Sequence, residues 1–114
     1  MKSLRKVSIL LITVNLIFTF SLGTTAGEDQ VREYIAQCLV HIEQNEFAEA
    51  LVSLDAALLL QEINPELYRL QGQVLEILER PDEAVTAWEN CLKFTDDPVL
   101  REESIRHIEN LSSD

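Results

Sequence analysis

Apolar positions in the second quarter of the chain recur at spacings of three and four. Val31, Tyr34, Ile35, Cys38, Leu39 and Ile42 predict an amphipathic helix over Gln30 to Gln44. Asn45 is suited to the left-handed turn that ends it. Phe47, Ala50, Leu51, Leu54, Ala57, Leu58 and Gln61 mark a second helix. In "INPEL", Asn64 is the expected cap of a third and Pro65 suits its first turn. Leu67, Tyr68, Val74, Leu75 and Leu78 give that helix its apolar side. Pro81 breaks the pattern and restarts it, with Ala84, Val85, Trp88, Cys91 and Leu92 expected inside. "DDP" repeats the start signal at Asp97 and Pro98, and Val99, Leu100, Ile105, Ile108 and Leu111 predict a fifth helix. No strand pattern appears after the first 26 residues, so the expected class is all-α.

The pattern also repeats. Shifted by 34 residues, Tyr34 falls on Tyr68, Gln37 on Gln71, Cys38 on Gly72, Ala50 on Ala84, Leu54 on Trp88 and Ala57 on Cys91. A fixed period in this range marks stacked units. A hairpin this short cannot bury its apolar face alone, so a second copy and a final polar-backed helix are needed to close the core. Small residues at Cys38, Gly72, Ala50, Ala84, Ala57 and Cys91 let backbones approach, and Leu54 and Trp88 fill the gaps.

These residues resemble the tetratricopeptide repeat, whose pattern is W-x2-L-G-x2-Y, then A-x3-F, then P. Unit one offers Tyr34, Gln37, Cys38, His41, Ala50 and Leu54; unit two offers Tyr68, Gln71, Gly72, Leu75, Ala84 and Trp88. Gln stands for Leu in both units, the second Tyr is missing, and Pro65 and Pro98 come late. The resemblance implies a right-handed helical-hairpin solenoid, with repeats at about 30–63 and 64–97 and a capping helix at about 98–112.

The amino terminus stands apart. Lys2, Arg5 and Lys6 precede an apolar run from Val7 to Leu22, and "GTTAG" follows. This reads as a secretory signal peptide over residues 1–26, cleaved after Ala26. The alternative is an uncleaved anchor, but the run is 16 residues, with five polar ones, where a spanning helix needs about 20. Either way the domain at 27–114 is expected outside the cytoplasm, periplasmic or secreted. Three of the 9 basic residues and none of the 20 acidic ones lie in the leader, so residues 27–114 carry a net charge of −14. Such a surface repels nucleic acid and anionic membranes and is compatible with a basic partner, or serves as a solvated, soluble surface.

Candidate chemistry is sparse. Cys38 and His41 share a helix face, but no second pair stands at ligand spacing and His107 is alone on the last helix. Packing explains Cys38 and His41, and no cofactor or metal is expected. Both cysteines are expected as free, buried thiols in separate seams. Asp96-Asp97 and Glu102-Glu103 read as cap and solvated charges, and Asn110 heads a glycosylation sequon. No catalytic constellation points to an enzyme.

The family resemblance implies peptide or helix binding along the first helix of each unit. That face carries Ile35, Leu39 and Ile42 in unit one and Arg69, Gln73 and Glu76 one period later. The basic and Asn cluster of chaperone-binding members is represented only by Arg69. With Tyr34, Cys38 and His41 packed inward, the stripe of Ile35, Leu39 and Ile42 is either a contact face or core. The expected function is a non-enzymatic interaction module. The alternative is a self-associating subunit that dimerises through the first helix.

Overall fold

The computed structural model describes residues 26–113. Residues 1–25 of the predicted leader, and its alternative as an anchor, lie outside this range; the expected cleavage point between Ala26 and Gly27 falls in the first turn of the first helix. Five α-helices follow one another: α1 (Ala26–Glu43), α2 (Phe47–Leu60), α3 (Pro65–Ile77), α4 (Pro81–Phe94) and α5 (Pro98–Ser112). No strand occurs among the described residues.

Local chemistry sets the ends. α1 starts four residues before the expected Gln30, and Glu28 and Asp29 in its first turn favour the positive end of the helix dipole. Asn64 accepts hydrogen bonds from the amides of Glu66 and Leu67 and so caps α3. Asp97 accepts from the Val99 amide and caps α5. Pro65, Pro81 and Pro98 each open a helix, where a missing N–H costs nothing.

The two hairpin turns have the same geometry one period apart. Asn45 has φ 59° and Glu79 has φ 57°. The Glu46 amide donates to the His41 carbonyl at 2.7 Å, and the Arg80 amide to the Leu75 carbonyl at 3.0 Å. Asn45 donates to Ile42 and Glu79 to Glu76, both at 3.0 Å. This is the six-to-one closure of a helix by a left-handed residue, made here without glycine. The Asn is readable from sequence. The Glu is not, because its side chain offers no such preference, yet a shift of 34 from Asn45 lands on it.

Each helix packs mainly on its neighbours in sequence, and the contact between α2 and α3 is the thinnest. One core cluster joins Val31 and Cys38 of α1, Ala50, Leu54 and Ala57 of α2, and Leu67 and Val74 of α3. At the other end Trp88 and Cys91 of α4 meet Leu100 of α5, with Tyr68, Ile108 and Leu111 around them. The expected small residues Cys38, Ala50, Ala57, Ala84 and Cys91 are all fully buried. Gly72 is buried too, against Trp88. Full burial of Leu54 or Trp88 contributes about 1.5–3 kcal/mol each.

α5 departs from its expected inner face. Val99 is 73% exposed and Ile105 is 42% exposed. The buried line runs instead through Leu100 and Ser104 toward Ile108 and Leu111. Ser104 enters the interior because its hydroxyl donates to the Leu100 carbonyl one turn earlier, at 2.8 Å. That bond removes the cost of burying a polar group.

Candidate partner-binding faces

On α3, two of the three expected contact residues, Arg69 and Glu76, meet α5. Arg69 Nε donates to both carboxylate oxygens of Glu103, at 3.2 and 3.0 Å. Its Nη1 lies 3.6 Å from Glu66. The hydrogen bond to Glu103, then the charges of Glu103 and Glu66, hold the guanidinium above its usual range against the cost of burial. Arg69 and Glu103 stand 34 residues apart, the same interval as the sequence repeat. Glu103 therefore departs from the expected solvated charge.

Glu76 is similarly engaged. Its Oε2 accepts from Trp88 Nε1 at 2.8 Å and lies 2.8 Å from His107 Nδ1. The imidazole stacks on the indole, with ring centroids 4.1 Å apart and planes 16° apart. One carboxylate thus ties α3 to α4 and α5. His107, which looks solitary in the sequence, belongs to this cluster. Gln73 lies half-buried between Arg69 and Glu76 along α3.

α1 divides the apolar stripe. Ile35 and Ile42 are half-buried and pack on the first core cluster. Leu39 is 46% exposed and its neighbour Val40 is 49% exposed. Helical rotation explains the division. At about 100° per residue, Ile35 and Ile42 lie about 60° and 40° from the buried Cys38, and Leu39 lies about 100° away.

Beside the stripe, the Cys38 thiol is interior and the His41 imidazole is half-buried. Cys38 is fully buried and free, and burial pushes its thiol up to about 11. Cys91 is also buried and free; burial raises it, and a hydrogen bond with Ser104 opposes the shift. Neither environment activates a thiolate. His41 Nδ1 is buried without a hydrogen-bond partner, 3.5 Å from Glu46 Oε1. Among the described residues no group of three His, Cys, Asp or Glu could hold a metal ion.

A second apolar face, on α2, escaped the sequence reading. Val52 is 69% exposed and Leu59 is 83% exposed. They lie seven positions apart, two turns along one side of the helix, with half-exposed Ala56 between them. Ile63, in the loop that follows, is 74% exposed. The signal that finds this face is the repeat itself. One period later these four positions hold Thr86, Asn90, Lys93 and Asp97. At the shifted positions on α4 the side chains are polar, with Thr86 and Lys93 exposed. Among the described residues no helix is long and apolar enough to cross a membrane. In comparisons with known proteins, the chain matches no family model, no curated protein and no solved structure.

Proposed function

We propose that this chain is a non-enzymatic interaction module that holds a protein or peptide partner outside the cytoplasm. In this reading it is a tetratricopeptide-like, right-handed solenoid of two repeats and a capping helix. A signal peptide over residues 1–26 directs its export. The recurrence of the hairpin turn after one period supports the repeat, as does the Arg69–Glu103 link.

The observation that carries the functional reading is the uncovered apolar surface of unit one. Leu39 and Val40 are about half exposed on a helix with no preceding unit among the described residues to cover it. Burying such side chains against a partner contributes about 1.5–3 kcal/mol each when complete. At the other end of the same face α5 already engages Arg69 and Glu76. Contact through this face therefore centres on Leu39, flanked by Ile35 and Ile42, with Gln73 at its edge.

Leu39→Glu tests this. The expected result is loss of the co-purifying partner from the exported fraction, with helix content and unfolding midpoint unchanged. Light scattering on the same pair of proteins distinguishes the alternative: a wild-type dimer that Leu39→Glu dissociates identifies self-association. If Leu39→Glu unfolds the protein, Leu39 belongs to the core and this face is not the contact.

A further inference from the structure

The geometry points to the outer face of α2 as a docking surface for a basic amphipathic helix of a partner protein. This rests on the interaction-module reading but on a different face from Leu39. Val52 and Leu59 are among the most exposed large apolar residues described, and they lie on one side of a helix that already packs on α1 and α3. Ile63 extends the apolar surface past the helix end. The equivalent side of α4 carries Thr86, Asn90 and Lys93. An exposed apolar stripe rimmed by polar residues has the character of a contact surface.

Charge identifies the occupant. From Glu33 to Tyr68 the chain has seven acidic residues and no Lys or Arg. Glu49 lies one turn before Val52 and Asp55 one turn after it, and the helical rotation sets them on opposite flanks of the stripe. Glu62 precedes Ile63. A second copy docked on this face would bring two acidic rims together, which disfavours self-association. A helix with apolar residues along one side and Lys or Arg along both edges matches the stripe and its rims. An amphipathic helix read at spacings of three, four and seven is the form that such a stripe accepts.

The test uses two synthetic helical peptides with the same leucine stripe, one edged with lysine and one with glutamate. Fluorescence anisotropy should show the lysine-edged peptide bound by the protein, more weakly as salt rises, and the glutamate-edged one not bound. Val52→Thr with Leu59→Gln should weaken binding about tenfold or more, which corresponds to a loss of about 1.4 kcal/mol or more. Glu49→Gln with Asp55→Asn should weaken it and flatten the salt dependence. Leu39→Glu should leave it unchanged. Equal binding of the two peptides, no binding of either, or binding indifferent to the α2 substitutions overturns the inference. So does a wild-type dimer, or attachment to phosphatidylcholine vesicles, that Val52→Thr with Leu59→Gln abolishes. Binding lost only in Leu39→Glu would move the contact to α1, leaving the module reading intact and this inference refuted.

Discussion

Cys38 shows how far a single side chain reports its surroundings. Its thiol is fully buried, and burial without an ionic partner raises it to about 11. The neutral thiol is favoured in the folded chain. Unfolding releases it to an ordinary value near 9.0. Its contribution is therefore intact below about pH 9 and is lost as the pH rises toward about 11. We expect the denaturation midpoint to fall across that window, and less so in Cys38→Ala. At neutral pH both cysteines should react slowly with a thiol reagent until denaturant is added. Fast native-state labelling, or a non-reduced mass lower by two hydrogens, would contradict the buried, free thiols seen here.

At the scale of elements, the α3–α4 hairpin depends on a glycine facing an indole. A Cβ on Gly72 would stand 2.7 Å from Trp88 Nε1 and 2.8 Å from Trp88 Cε2. The indole cannot retreat easily. It is fully buried, its N–H is bonded to Glu76, and its ring is stacked on His107. Helix propensity favours Ala over Gly by about 1 kcal/mol. Overpacking a closed core costs about 1–3 kcal/mol and opposes that gain. Gly72→Ala should therefore destabilise the protein, measured as a lower thermal midpoint with a red-shifted Trp emission. A gain in stability would mean that the indole can move and that the α3–α4 seam is looser than described. The hairpin of unit one solves the same problem with Cys38 and Leu54, a larger and a smaller residue than Gly72 and Trp88. The two units exchange volume between facing positions and keep the turn geometry.

The whole molecule is closed by α5. This helix covers Trp88 and Cys91 with Leu100, Ile108 and Leu111, and it supplies Glu103 to Arg69 and His107 to Glu76. Three such apolar side chains contribute about 1.5–3 kcal/mol each at full burial. Small domains have about 5–15 kcal/mol in all. Removing α5 should thus cost most of the stability. A chain ending at Thr95 should lose more helix by circular dichroism than the 15 residues of α5 account for. Loss of α5 signal alone, with Trp emission unchanged, would show that the two hairpins stand without it.

The number of helices, their start signals and their repeat were determined by the sequence. Asn45, Asn64, Pro65, Pro81, Asp97 and Pro98 act within one or two turns of chain, so their effects do not depend on what packs nearby. The buried small residues were also legible, because the 34-residue shift aligned them. Tertiary structure alone decided the finer division of covered and exposed residues on α1, α3 and α5. It placed Ile35 and Ile42 against the core and left Leu39 out, buried Ser104 and exposed Val99, and closed Glu76 onto Trp88 and His107. Those outcomes turn on rotations of about 40–100° around a helix axis. The axis orientation is fixed only when the neighbouring helices meet, and so no local pattern carries it.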